Sequence, residues 1–511
     1  MYQSGRADEA GGKARSIPVP GSGVGGRADL PGEHGFRFYP AFYKHIPDTM
    51  SRIPFGGRSV RENLTPCARL LISQFGRTDI KLNGRFPRSP ADWLILLNNI
   101  FGGQFGVPRE EVLHFGLKMT EYLGSCEARR LAEYEKIAWW DYIGAETRSV
   151  AYQKLIATGL TRCLTAMKPR EASTRTVASI LVQLLVPFAD PAQTPDRVLA
   201  GPTNDMWIDP WMQHLRTLGV VFQFDHELVS LTTAAGRVSS ARIRRASGPD
   251  VTVTADQFVV AVPVEVMERV AAASPGIVAL DPALGRLGAL RWEWMTGIQY
   301  FLNRDVSIAA GHVIHIDSPW AITSISEKQF WPSTNLANYG DGVVAGVLSV
   351  DVSDWNQPGR FNGKKAIHCT RDELLDEVWS EIKAHVNEAG APPVLVDADV
   401  HSRFLDPAIE FPLPDAPTNK TPLLVNIPDS WRDRPEATTA IPNLFLASDY
   451  VRTITDLASM EAANEAARRA VNGILAETGS RAARCRIFPF EEPWIFAPIK
   501  ALDWFRYRLG C

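Results

Sequence analysis

The chain has 511 residues, 45% hydrophobic and 22% charged, enough apolar content for more than one buried core. Its 54 basic and 57 acidic residues leave a formal net charge of −3, and no basic run carries interleaved aromatics, which argues against a nucleic-acid partner. The cysteines, Cys67, Cys126, Cys163, Cys369, Cys485 and Cys511, form no C-x-x-C pair, so neither a zinc ribbon nor a disulfide framework is expected and reduced thiols in a cytoplasm are the natural reading.

In chain order, the segment up to about Gly84 is rich in Gly, Pro and Arg and reads as loops and short elements. Within it Gly21-Ser22-Gly23-Val24-Gly25-Gly26 spells G-x-G-x-x-G, a nucleotide fingerprint only between a buried strand and a helix. Here Ile17-Pro18-Val19-Pro20 precedes it and Arg27 to Gly32 follows, so a hairpin or loop is expected instead. From Pro90 to about His214 the pattern turns helical, with Trp93, Leu94, Leu96, Leu97 and Ile100 on one face and Ile180, Leu181, Leu184, Leu185 and Val186 continuing it. Gly219 to Phe224, Leu228 to Thr232, Val238 to Ile243, Val251 to Thr254 and Phe258 to Val262 read as strands, with a turn at Ser247-Gly248-Pro249-Asp250. Gly297 to Leu302, His312 to Ile316 and Trp320 to Ile325 read as a second sheet.

Asn443 to Leu475 carries the most information. Leu444, Phe445 and Leu446 suit a strand buried on both faces, ended by Ser448 and Asp449. Thr455 or Asp456 can cap a following helix in which Met460, Ala463, Ala467, Ala470, Val471 and Ile474 recur at helical spacing. A helix start near Leu457 offers free N–H groups and a partial positive charge to an electron-rich or anionic ligand.

The run D-Y-V-R-T-x-x-D-L-A-S-M-E-x-A-N-E-A, from Asp449 to Ala466, resembles the C-terminal flavin motif of the amine oxidase and phytoene desaturase superfamily, most closely bacterial hydroxysqualene-dehydroxylase-like oxidoreductases. Gly11-Gly12-Lys13-Ala14-Arg15, Gly32-Glu33-His34-Gly35-Phe36-Arg37 and Thr254-Ala255-Asp256 followed by Val259 to Pro263 match it in order, so the likeness covers nearly the whole chain. It implies an α/β FAD-binding domain interleaved with an α+β substrate domain: residues 1–89, 215–285 and 431–478 on the flavin side, 90–214 and 286–430 on the substrate side, and 479–511 as a tail. It also implies a strand–fingerprint–helix unit of roughly 30 residues before Met1-Tyr2-Gln3, and that unit is expected to be missing, with Gln3 where the ribose-binding acid would stand. Ser448 replaces the glycine usual before the aspartate.

Carried over residue by residue, the resemblance places FAD against Gly11, Gly12, Lys13 and Arg15 as a tight turn with cations, His34 and Gly35 near the isoalloxazine, Val229 at the adenine, Asp449 at the ribityl or pyrophosphate, and Ala458, Ser459 and Met460 at the helix start. His34 and Val229 read equally well as loop and sheet residues. A substrate cavity is expected between Trp292 and Trp331, with Trp294, Gln299 and Trp320 on its walls, since aromatic walls suit a large apolar substrate. His312, His315 and His401 do not suggest a metal site, because residues three apart on a strand point to opposite faces. Asp317, Glu293, Glu327 and Lys328 read best as solvated surface groups. No apolar run is long enough to span a bilayer, while the tail places Trp494, Phe496, Ile499, Leu502, Trp504 and Phe505 among Lys500, Arg506 and Arg508, a composition for docking on the main body or for peripheral membrane contact.

The function these features imply is a flavin-dependent oxidoreductase moving a hydride between FAD and an apolar, isoprenoid-type substrate. The alternatives are a flavin-less subunit whose protein partner supplies the missing unit, or a cofactor-free isomerase or cyclase in the same cavity.

Overall fold

The computed structural model describes residues 10–76, 80–83, 106–165, 167–185, 194 and 196–510. Ser16–Pro18 pairs antiparallel with Pro31–Glu33, and the G-x-G-x-x-G stretch is the loop between them, with Gly21, Gly25 and Gly26 at positive φ. That is turn chemistry, as the flanking prolines required. Strands β1 (Arg69–Ser73) and β2 (Ile80–Asn83) come next. The sequence had assigned everything before residue 90 to the flavin side. In the structure β1 and β2 join a seven-stranded sheet whose other strands come from residues 296–405, a long-range pairing that local pattern does not encode.

The helical region contains α1 (Arg109–Gly124) and α2 (Thr174–Leu185), which share a core built from Phe115, Tyr122, Trp139, Tyr152, Val177 and Leu181. The expected face from Trp93 to Ile100, together with Val186 and Gln3, lies outside the described residues. Next come β3 (His226–Ala234), β4 (Arg237–Arg245) and β5 (Val251–Val253), an antiparallel ribbon in the order β5-β4-β3. Gly219 to Phe224, expected as a strand, is irregular: Phe222 and Phe224 stack at 5.9 Å and pack together on the core that includes Trp207 and Met212. β6 (Phe258–Val260) then pairs in parallel, across the sequence, with β12 (Leu444–Leu446).

Between them the chain builds the large sheet from β7 (Thr296–Leu302), β8 (Val313–His315), β9 (Ile322–Ser326), β10 (Gly346–Val352) and, after helix α3 (Arg371–Val386), β11 (Val400–Leu405). With β1 and β2 it has seven strands in the order β11-β7-β10-β9-β8-β1-β2, antiparallel except where β1 runs parallel to β8. Every residue of β7 is buried. α3 starts at a Thr370/Glu373 capping box and packs Leu374, Leu375, Val378 and Ile382 on Ile298, Tyr300, Leu348 and Val350. At the β7 end, Gly297 lets the sheet press on the His34–Gly35 loop: a Cβ there would sit 2.4 Å from Gly35 N.

After β12 the chain forms α4 (Met460–Glu477) and finally α5 (Ala497–Arg508). α4 buries Ala462, Ala466 and Ala470, while Val471, expected on the apolar face, is exposed.

Candidate functional site

The site is assembled at the carboxyl ends of β6 and β12, where the chain turns away from two parallel strands and leaves a crevice. Ala261, Val262 and Pro263 after β6, and Ala447, Ser448 and Asp449 after β12, line one large cavity. Ser448 adopts φ +127°, a backbone conformation natural to glycine and costly for a side chain by about 1–3 kcal/mol. Ser448→Gly is therefore expected to stabilise the fold by about 1 kcal/mol, read as a higher urea midpoint; an unchanged or lower midpoint would remove the strain argument.

The helix begins later than its sequence suggested. Ser459, not Thr455 or Asp456, is the N-cap of α4, its hydroxyl accepting from Ala462 N. Asp456 is instead a buried anchor at φ +44°. Its Oδ2 accepts from Arg175 (2.7 Å) and Thr176 (2.8 Å), and its Oδ1 from Asn426 (2.9 Å) and Arg434. Glu461 receives the backbone N–H groups of Lys44, His45 and Ile46, and Glu465 those of Ile454 and Thr455. The acidic letters of the motif thus fix the loop and helix in place, which leaves small residues, Ala458, Ser459, Ala463 and Ala467, with Met460, to face the cavity.

That cavity measures about 2000 Å³, well above the usual size of a small-ligand pocket, roughly 300–1,000 Å³. Gly11, Gly12, Lys13 and Arg15 line it, as do His34, Gly35, Asp449, Ala458, Ser459 and Met460. Gly11 and Gly12 both have positive φ, and the space where a Gly12 Cβ would point is open. Lys13 donates to Pro422 O, and its charge opposes the burial that raises the Glu265 carboxyl. His34 contacts Asp406 through Nδ1, yet burial outweighs that partner and lowers its pKa, so a neutral imidazole faces the cavity.

Other expected site residues lie elsewhere. His226, Glu227 and Leu228 line the cavity at β3 and Val229 does not; the β3–β4 register slips past Val229, with Arg242 opposite Ser230 and Ile243 opposite Leu228. Trp292, Trp294, Gln299, Trp320 and Trp331 do not line the cavity. Trp320 is fully buried and donates Nε1 to Gln357 O, Trp294 packs edge-on against Trp355, and Trp331 joins the core of Phe301 and Phe330. Trp292 sits half-exposed on the strand Arg291–Glu293, and Gln299 accepts from Glu33 N and donates to Ser349 Oγ. Trp211 does line it.

Two clusters at the cavity left little signal in the sequence, one on its wall and one reaching behind it. Cys67, Asp196 and His312 bring their ligand-type atoms within 4.8 Å of one another, a set able to hold a metal ion. Burial first, then the Asp196 and Glu327 charges, push the Cys67 thiol far up, so in this arrangement it keeps its proton and the three groups form a hydrogen-bonded set around Asp196. The second cluster is Glu33, Glu327 and Asp351 around Arg37. Glu327, read as a surface group in the sequence, is buried and raised to about 8, by burial and then by Glu33. Asp351, which lines the cavity, is raised to about 7 by burial, against the pull of Arg37, and its buried Oδ1 packs on Gly35 without a hydrogen-bond partner among the described residues.

An acid whose folded pKa is raised binds its proton more tightly in the folded state, so its ionisation costs stability as pH climbs from the unfolded value toward the folded one. For Asp351 that window runs from 3.8 to about 7. Asp351→Asn is expected to flatten part of the fall in stability across that window, by on the order of 1–3 kcal/mol at neutral pH. Urea midpoints measured at several pH values check this; parallel curves for the variant and the parent would refute it.

A crevice at the ends of parallel strands, a glycine–cation turn and a long helix pointing its N-terminus inward define a nucleotide-cofactor oxidoreductase fold of the flavoprotein class. The chain belongs to the flavin containing amine oxidoreductases, whose family model matches residues 6–475. Among solved structures it is similar to an oxidoreductase from Methanosarcina mazei (11% identity, 93% of this chain and 94% of the other, TM-score 0.55). It is also similar to putrescine oxidase bound to putrescine (10%, 93% and 92%, 0.56) and to cyclohexylamine oxidase from Brevibacterium oxydans (11%, 94% and 92%, 0.56). No curated protein matches the sequence. At these identities the structures show a shared fold. The cofactor is FAD, and the residues fit it: the volume, the glycine–cation turn with open space in front of Gly12, the α4 N-terminus and the buried Gln257 Oε1, without a partner among the described residues, all belong to one cavity.

Proposed function

We propose that this flavin-dependent oxidoreductase moves a hydride between FAD and a large apolar substrate of isoprenoid type. The observation that carries the reading is the continuity of the cavity. From the flavin-motif residues it runs on to Phe36, Phe38, Ile72, Phe115, Met119 and Leu181, an apolar wall suited to a hydrocarbon chain. Bound FAD supplies the hydride chemistry at its ring. The chain's own residues orient and exclude water: the α4 N-terminus favours negative charge on the reduced cofactor, and the aromatic wall keeps the reacting carbon dry.

The test is the visible absorption spectrum of the purified protein after incubation with FAD and removal of the excess, followed by anaerobic titration. Bleaching of a retained flavin by an isoprenoid alcohol or polyene supports the reading, and bleaching by alkyl amines alone overturns the substrate class. A folded protein that retains no flavin would instead favour a noncatalytic subunit completed by a partner, or a cofactor-free isomerase or cyclase.

A further inference from the structure

The C-terminal helix α5 is docked the wrong way round for a helix that completes a core. Its fixed side is largely polar: Asp503 accepts from Cys126 N (2.8 Å) and pairs with Arg129 (3.0 Å), and Lys500 pairs with Glu492. Ile499 also rests on Gly124 at the end of α1. The apolar residues point outward instead. Trp494 is 82% exposed, Leu502 58%, Phe505 60% and Leu509 80%. An amphipathic helix normally buries that stripe and exposes its charges, and single exposed apolar residues are ordinary, but a concentration of them marks an interaction surface.

The neighbouring helix α1, whose C-terminal end meets α5 at Gly124, carries exposed apolar residues as well. α1 leaves Leu113 and Leu117 exposed, while Phe115 and Met119 on its other side line the cavity. One helix therefore separates the apolar exterior from the apolar interior. Arg506 and Arg508 stand in the last turn of α5, and neither forms a salt bridge among the described residues. No helix among the described residues is long and apolar enough to cross a membrane, so insertion across a bilayer does not account for the exposed surface.

We propose that α5, with the exposed side of α1, docks this protein on an anionic lipid surface, the helix lying in the interface with Trp494, Leu502 and Phe505 inserted and Arg506 and Arg508 over the headgroups. Aromatic and aliphatic residues beside arginines match the two halves of such an interface, its acyl boundary and its negative charge. The position also suits the substrate class under "Proposed function", because an apolar substrate dissolved in lipid would meet α1 before it met water. The docking itself does not depend on that reading, since it needs neither flavin nor turnover.

The experiment is co-sedimentation of the full chain with sucrose-loaded vesicles of phosphatidylcholine, with and without phosphatidylserine. The parent protein is expected to pellet with the phosphatidylserine vesicles and to be released by salt, which screens the headgroup attraction. A Trp494→Ser, Leu502→Ser, Phe505→Ser triple variant, altered only at exposed positions, should bind weaker by on the order of a hundredfold. Arg506→Gln and Arg508→Gln should each cost about fivefold on the anionic vesicles and nothing on pure phosphatidylcholine. Equal pelleting of parent and triple variant would overturn the proposal. So would a parent that ignores both vesicles, including one that elutes as a dimer which the triple variant splits, since a second copy of the chain would then be the occupant. Retention of FAD, measured on the same samples, separates failure of the docking from failure of the oxidoreductase reading.

Discussion

Asp456→Ala is expected to destabilise the protein by about 3–5 kcal/mol, because it strips the shared anion from two buried guanidinium groups. Arg434 is 1% exposed and Arg175 7–8%, so water cannot replace the lost carboxylate. Thr176 Oγ1 loses its acceptor at the same time, and Asn426 Nδ2 keeps only the Asp456 backbone carbonyl at 3.1 Å. Asp456 also stands three residues before the Ser459 cap, so the loop that aims α4 at the cavity loses its anchor and FAD affinity should fall with stability. Asp456→Asn keeps the shape and loses the charge, and should lie between the parent and alanine. Urea unfolding and equilibrium FAD binding provide the two readouts. An alanine variant with the parent's midpoint would mean that the Arg175–Asp456–Arg434 cluster does not hold the helix start.

Gly297→Ala is expected to cost about 1–3 kcal/mol by overpacking and to weaken FAD binding by on the order of tenfold or more. The added Cβ would meet Gly35 N at 2.4 Å and His34 C and O at 2.5 Å, all backbone atoms with no rotamer to escape into. Relief requires the His34–Gly35 loop to move, and that loop lines the cavity. It is also hemmed in from above, where a Cβ on Gly35 would meet Asp351 Oδ1 at 2.4 Å. Thermal melts paired with FAD titration check the result, and unchanged values for both would show that the loop gives way freely and that β7 does not set its position.

The strand–turn–helix from Leu444 to Glu477 was legible because each part is local: an apolar triplet, a polar break and a helical repeat of alanines. The starting residue of the helix was not, because Thr455, Asp456 and Ser459 are all able caps and only the surroundings choose among them. Arg175 and Arg434, distant in sequence, draw Asp456 inward, and Glu465 takes up Thr455, which leaves Ser459 as the cap. The tryptophans misled for a related reason. Trp320 stands in the turn before β9 and Trp331 directly after the short 3-10 turn 328–330, where no local period assigns a face, so packing alone placed both in the core. Glu327 and Asp351 carried no burial signal of their own; Glu327 follows directly on β9 and Asp351 stands on β10, two inner strands of the seven-stranded sheet.

By itself the sequence determined the flavoprotein class and the turn at Gly21 to Gly26, and it picked out Gly11 to Arg15, His34, Gly35, Asp449 and Ala458 to Met460, which all line the cavity, since each is written in neighbouring letters. Only the tertiary structure decided which side chains stand around those residues: the joining of β1 to β8, the Asp351 carboxyl against Gly35, the Cys67–Asp196–His312 set and the outward face of α5. The physical reason is that a turn, a cap or an apolar repeat depends on bonds within a few residues, whereas burial and partnership are created when distant strands and helices pack.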